Sequence, residues 1–425
     1  MRRSASSLAW LLALCVCCCG LVAGLTGPAA FYDAKDKIDG EYIVVLHDAL
    51  GPDDVADYKG RIEARLNPDM ESVDQVFRIG SFNALKAKLS LRSVKTLLLD
   101  EEVKYVQENQ VVRAIQLKGE SCSQQSIEVP WGLDRIDQRS VDLTGKFRYK
   151  SSAGQNVDAY IIDTGIQVTH KQFEGRAEWG TNTAGDGQGR DCHGHGTHVA
   201  GTVGSLYYGV AKKTTLIAVK VLACDGYGSD ATVIAGVEWA TNHHHSKQNK
   251  RPSVANMSLG GGFSPALNEA VNASITAGIT YAVAAGNDDY DACFVSPASV
   301  ETAITVGATE IANIKSYEKD ARSYYSNYGS CLSVLAPGTL IKSTWIGESD
   351  EEVKTISGTS MASPHVAGVA ALFLDVNPEA TPKDVKGFIL DNALEGKVVL
   401  GCEPTESTCP QTPNRLLYFA CGAYL

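Results

Sequence analysis

Apolar and polar positions follow two rhythms along this chain. Between Glu41 and Val112 the runs are short and mixed. Tyr42-Ile43-Val44-Val45-Leu46 reads as a strand and Asp54 to Leu66 as a helix. Val76 to Ile79 and Phe82 to Leu89 read as two strands around a Gly80-Ser81 turn. Leu91 to Leu99 follows as a second helix and Val103 to Val106 as a further strand. From Trp131 onward, buried-type strands alternate with helical stretches. The strands are Val157 to Ile162, Leu216 to Val221, Val254 to Met257 and Thr280 to Ala284. The helices are Ala231 to Thr241, Pro265 to Ala277 and Ser363 to Leu374. Residues 115–130 are polar and lack either period, as a linker does.

The first unit runs strand-helix-strand-strand-helix-strand, which is the ferredoxin-like α+β order. The second predicts an α/β architecture, a mostly parallel sheet with helices on both faces. Ligands gather beyond the carboxyl ends of such strands, and Asp163 stands at one.

A leader precedes both units. Arg2 and Arg3 open it, Leu8 to Val22 is apolar, and Val22-Ala23-Gly24 offers small residues for cleavage. A membrane anchor is the rival reading, disfavoured because the run is short and ends in Gly and Ala. The expected organisation is a signal peptide over 1–24, a propeptide over 25–118 and a catalytic domain over 119–425, with the cut between Ala114 and Ser126. A first unit that stays attached as an ordinary domain is the alternative.

Export implies an oxidising compartment. Of twelve cysteines, Cys15, Cys17, Cys18 and Cys19 leave with the leader. Cys122, Cys192, Cys224, Cys293, Cys331, Cys402, Cys409 and Cys421 remain, an even set that reads as disulfides. The 425 residues are 44% hydrophobic and 20% charged, which suits a globular protein with more than one domain. A net charge of -11 argues against a nucleic-acid partner. No later segment is apolar enough to span a bilayer.

Three segments carry the chemistry: Asp163-Thr164-Gly165, His195-Gly196-Thr197-His198 and Gly358-Thr359-Ser360-Met361-Ala362. A serine hydroxyl is a poor nucleophile unless an imidazole takes its proton and a carboxylate holds that imidazole in the useful tautomer. Each residue alone has a plainer role, as a strand-end turn or a helix cap. Together they point to acyl transfer, with His195 as base and His198 as a structural histidine. Pro364 suits a helix first turn, which places Ser360 near a helix N-terminus. Asn287, after the strand ending at Ala284, can donate to an oxyanion. Gly226-Tyr227-Gly228 and Ser258-Leu259-Gly260 follow two other strands and can pair with an extended peptide. The run His243-His244-His245 reads as a polar loop, and Asn272-Ala273-Ser274 fits a glycosylation sequon.

These residues, in the order Asp, His, Ser, resemble the subtilisin-like serine proteases, on the proteinase K and aqualysin branch. The resemblance runs from Trp131 to Tyr418. It rests on Pro130-Trp131-Gly132-Leu133-Asp134, Gly194-His195-Gly196-Thr197-His198-Val199-Ala200-Gly201-Thr202-Val203-Gly204, Asn256-Met257-Ser258-Leu259-Gly260-Gly261-Gly262, Ser326-Asn327-Tyr328-Gly329-Ser330 and Pro413-Asn414-Arg415-Leu416. It implies Asp163, His195 and Ser360 as triad, Asn287 as oxyanion donor, and the two glycine segments as substrate clamp. It further implies apolar or aromatic preference before the scissile bond and an inhibitory, chaperoning propeptide. Asp230 stands near the place where a relative carries a subsite tyrosine.

Cys192–Cys224 and Cys293–Cys331 match family disulfides. For the remaining four we expect Cys402–Cys409 and Cys122–Cys421. Asp134, Asp137 and Gln138 match calcium-holding positions, and oxygen ligands suit that ion; Ser333 replaces the aspartate of a second family site, and none is expected there. The function expected is a secreted, monomeric endopeptidase acting on protein or peptide substrates, inhibited by its own propeptide until it cuts itself. A non-catalytic binding protein on the same scaffold and an esterase are the competing readings.

Overall fold

The computed structural model describes residues 28–34, 37–47, 50–79, 81–110, 122–247, 251–311, 320–402 and 409–421. The expected leader, residues 115–121 of the linker and Gly80 of the expected turn lie outside them. The chain divides into two compact units, Met1–Gln116 and Leu117–Leu425.

The first unit is a five-stranded sheet with two helices. Its strands are β1 (Ala30–Tyr32), β2 (Lys37–Leu46), β3 (Ser72–Ile79), β4 (Phe82–Lys88) and β5 (Val103–Gln110), ordered β1-β5-β2-β4-β3. Helices α1 (Pro52–Glu63) and α2 (Leu91–Leu97) supply its other layer. Apart from β1, the strand order is that of the ferredoxin-like motif. Strand β1 has three residues and lies parallel to β5, too short to give an alternation signal. The core gathers Val44, Leu46, Val55, Tyr58, Leu85 and Val106.

The second unit is built on seven parallel strands. They are β6 (Asp158–Asp163), β7 (Ala177–Asn182), β8 (Thr215–Lys220), β9 (Ser253–Met257), β10 (Thr280–Ala284), β11 (Ile304–Glu310) and β12 (Val334–Pro337). Their spatial order is β12-β11-β10-β9-β6-β8-β7, and four short strands extend the sheet to eleven. The first strand in sequence therefore lies inside the sheet, with β8 on one side and β9 on the other. Chain order reverses there, which opens a crevice at the carboxyl end of β6. All six residues of β6 are buried, so both faces are covered.

One face packs Ala159 and Ile161 against α3 (His195–Gly204) and α6 (Thr359–Val376). The other packs Tyr160 and Ile162 against α4 (Asp230–Ser246) and α5 (Pro265–Thr276). Ser229 caps α4 by accepting from Thr232 N, and Ser264 caps α5 with Pro265 in its first turn. Disulfides join Cys122 to Cys421, Cys192 to Cys224, Cys293 to Cys331 and Cys402 to Cys409.

In the first unit, β2 and β3 begin four or five residues before the expected strands and β5 ends four residues after; in the second, two boundaries differ from the sequence reading. Helix α4 runs on through His243, His244 and His245, whose rings hydrogen-bond with Tyr160, Ser253 and the Ala277 carbonyl on other segments. Helix α6 begins at Thr359, so Pro364 lies inside it and not in its first turn. Proline lacks the N–H that would serve the carbonyl four residues back. That carbonyl belongs to Ser360, and the Ser258 hydroxyl donates to it instead at 2.8 Å.

Candidate active site

Asp163 ends β6, fully buried. Its Oδ1 lies 2.8 Å from His195 Nδ1 and accepts from Thr164 N at 2.7 Å. With the carboxylate accepting, His195 carries its proton on Nδ1 and presents Nε2 as the free base. Burial works against a charge on His195. The Asp163 carboxylate, through charge and hydrogen bond, and the charge of Asp191 outweigh that, so its pKa is raised.

His195 opens α3, and glycines let it do so. Gly194 has φ 102 and packs its α-carbon on Trp345; a Cβ there would lie 2.5 Å from the indole ring. A Cβ on Gly196 would lie 2.1 Å from the Gly165 carbonyl oxygen, so the His195 and Asp163 segments close only with glycine here. His198, one turn on, is buried with Nε2 3.1 Å from the carbonyls of Ile341 and Lys354, and burial pushes its pKa down to about 3.

Ser360 stands in the first turn of α6, where backbone N–H groups have no carbonyl four residues back within the helix and the helix dipole favours negative charge. Its hydroxyl donates to the Ser258 carbonyl at 3.2 Å and is not hydrogen-bonded to His195 in this arrangement. Asn287 Oδ1 accepts from Thr359 N at 2.8 Å and Thr359 Oγ1 at 3.0 Å, which turns its Nδ2 outward. That nitrogen and Ser360 N face one space. An atom at the position of a Gly358 Cβ would be 3.5 Å from the first and 3.6 Å from the second.

Two adjoining cavities flank these groups. One, about 490 Å³, is lined by His195, Leu222, Gly226 to Gly228, Asp230 and Ser258 to Gly261. The other, about 530 Å³, is lined by Leu259 to Gly262, Asn287, Tyr290, Phe294, Val295 and Ser360. The segments 226–228 and 258–260 thus bound the same cleft. Within the first, Tyr227 N donates to Asp225 Oδ1 at 3.0 Å and Tyr227 O accepts from Ala223 N at 2.8 Å.

Sequence reasoning missed the groups behind the site. Asn256 Nδ2 donates to Ser258 Oγ, and Ser363 Oγ donates to Asn256 Oδ1, both at 2.8 Å, which steadies the serine that holds Ser360. Buried Asn256, at the carboxyl half of a strand, was the available signal.

Asp134, Asp137 and Gln138 lie together at the end of a short helix, Trp131–Ile136. Asp134 accepts from Gln138 Nε2 and from the amides of Thr144 and Gly145. Asp137 Oδ1 is buried without a partner, and burial raises the Asp137 pKa to about 6. An uncompensated buried carboxylate oxygen beside an amide and a second carboxylate is a donor set that fits a hard cation. Asp186, Cys192 and Cys224 also converge, but both sulfurs are bonded to each other and are not available to a metal.

A peptidase inhibitor I9 model matches residues 41–114, and a subtilase family peptidase S8 model matches residues 154–416. The chain belongs to the subtilase family. By that membership its activity class is serine endopeptidase. It is 40% identical to the extracellular serine proteinase of a Thermus strain over 430 residues, covering 96% of this chain and 97% of the relative. It is 48% identical to the subtilase-type proteinase isp6 of Schizosaccharomyces pombe over 312 residues, covering 73% of this chain but 64% of that protein. The solved structure of a cold-adapted subtilisin-like serine proteinase superposes with a TM-score of 0.60 at 45% identity, over 68% of this chain and 98% of that one. Among the described residues no helix is long and apolar enough to cross a membrane.

Proposed function

We propose that this subtilase is exported as a zymogen and, once matured, cuts within polypeptides through Ser360, His195 and Asp163. The observation that carries the reading is the 2.8 Å contact between His195 Nδ1 and the buried Asp163 carboxylate, in a cleft shared with Ser360. A peptide extends between 226–228 and 258–260 as an added strand. The Ser360 hydroxyl turns from the Ser258 carbonyl to His195 Nε2 and attacks the scissile carbonyl carbon as its proton passes to the imidazole. Negative charge develops on the carbonyl oxygen, where Asn287 Nδ2 and Ser360 N donate. The imidazolium, held by Asp163, gives the proton to the leaving amine, and the C–N bond breaks. Water then repeats the sequence on the acyl-enzyme and frees Ser360.

Leu259, Tyr290, Phe294 and Val295 around the cavity beside Ser360 favour an apolar or aromatic side chain before the scissile bond. The first unit, through about residue 118, serves as folding aid and inhibitor and is removed by the enzyme itself. Calcium held by Asp137 and Gln138 near Asp134 would fasten the start of the catalytic domain.

Expression of the full chain with Ser360→Ala tests this reading. The precursor is expected uncut and inactive on a long peptide, whereas the unaltered chain matures and hydrolyses it. A processed product from the variant would assign maturation to another protease. An inactive unaltered chain would leave the binding-protein reading.

A further inference from the structure

A second carboxylate stands behind the Asp163–His195 pair. Asp191 is 5% exposed and saturated with donors. Its Oδ1 accepts from Thr164 Oγ1 at 3.0 Å, His193 N at 3.0 Å and Gly194 N at 2.9 Å. Its Oδ2 accepts from Thr197 N at 3.0 Å and Thr197 Oγ1 at 2.6 Å. Thr164 directly follows Asp163; His193, Gly194 and Thr197 bracket His195. One side chain therefore ties the turn that presents the acid to the helix start that presents the base. Thr164 Oγ1 also accepts from Gly196 N at 2.9 Å, and the Thr164 carbonyl accepts from the buried Lys220 ammonium at 3.0 Å. The turn is thus gripped through side chain and backbone at once.

We propose that Asp191 is a positioning residue for peptide hydrolysis: ionised, it fixes His195 against Asp163 and adds its charge to the stabilisation of the imidazolium formed as Ser360 loses its proton. This rests on the triad assignment above. All five partners are donors, so only an ionised carboxylate serves them all; an amide must turn its own N–H groups on one set. Its place before α3 sets its side chain at the positive end of the helix dipole, where it takes the Gly194 and Thr197 amides. The charged and titratable groups facing His195 are Asp163 on β6, Asp191 and His193 on the preceding loop, and His198 on α3. Lys220 lies beyond Thr164, paired with Asp186 at 3.1 Å.

The test uses the full chain, allowed to mature, with Asp191→Asn, Thr164→Val and Thr164→Ser. Displacement of a reacting group by about 1 Å can cost about 100-fold. Asp191→Asn is expected to lower kcat about 10- to 100-fold with KM within about twofold, and to move the acid midpoint of kcat/KM to lower pH. Thr164→Val is expected to lower kcat, and Thr164→Ser, which keeps the hydroxyl, at least several-fold less. A folded Asp191→Asn enzyme with unaltered kcat and midpoint overturns the proposal. So does a kcat loss with the midpoint in place. Should Asp191→Asn not fold, equal losses in the two Thr164 variants overturn it. Hydrolysis by the unaltered chain separates any of these failures from failure of the triad reading.

Discussion

The Ser258 hydroxyl donates to the Ser360 carbonyl at 2.8 Å, the one carbonyl of the first turn of α6 that Pro364 cannot serve. The contact joins the end of the β9 segment to the helix that carries Ser360, the proposed nucleophile. In the other direction, the Ser360 hydroxyl rests on the Ser258 carbonyl. The chain segment proposed to hold substrate is thus also the support of Ser360.

Ser258→Ala removes that donor and leaves the carbonyl of Ser360 without it. A buried acceptor stripped of its partner costs about 1–3 kcal/mol. We expect a fall in stability of that size, measured by denaturant unfolding in the Ser360→Ala background, where self-digestion does not interfere. In the active background kcat should fall more than KM changes, because the nucleophile is displaced while the cleft backbone stays. A variant with unaltered midpoint and kcat would show that the serine hydroxyl contributes nothing to holding Ser360.

Acid should switch the enzyme off earlier than an ordinary histidine would. The proposed mechanism needs His195 neutral. Burial disfavours its charged form, but Asp163 and Asp191 favour it more strongly, and the folded pKa is raised. The active fraction is therefore lost as pH falls through a midpoint above the usual histidine value of about 6.5. The profile of kcat/KM on an uncharged peptide measures it. A midpoint at or below that value would contradict the electrostatic reading.

Asn287→Ala should spare binding and cripple turnover. Its Oδ1 is held by Thr359 N and Thr359 Oγ1, so the Nδ2 that faces the space beside Gly358 is fixed before substrate arrives. Loss of one such donor typically lowers kcat about 10²- to 10³-fold. Single-turnover kinetics on a chromogenic peptide checks this, with the rate of precursor processing as a second readout. A KM effect with kcat intact would place Asn287 in the clamp.

Four of the seven parallel strands, β6, β8, β9 and β10, are legible as nearly pure apolar runs, within a residue of their ends; β7, β11 and β12 are not in the sequence reading. Helix α6 was read four residues late because Pro364 looks like a first-turn residue, and its substitute donor comes from Ser258, about a hundred positions away. Local patterns carry no trace of such a contact. Asp163, His195 and Ser360 were visible as types in glycine-rich settings. Asp191 was not, since an aspartate beside Cys192 has no sequence mark of burial, and its five donors are assembled only by folding.

Calcium should matter more as pH rises. Asp137 is pushed up to about 6, chiefly by burial, with the nearby Asp134 charge adding to it. Its folded pKa exceeds the unfolded value of about 3.9, so the protonated form favours the fold at low pH and that contribution is lost as pH rises through about 6. A bound cation offsets the ionised carboxylate, so calcium has most to supply above that pH. We expect calcium to raise the thermal midpoint clearly at pH 8 and little at pH 5, measured with and without a chelator in the Ser360→Ala background. Asp137→Asn removes the ionisation and should flatten both the pH dependence and the calcium increment. A calcium increment equal at both pH values, and kept in Asp137→Asn, would move the ion to other ligands.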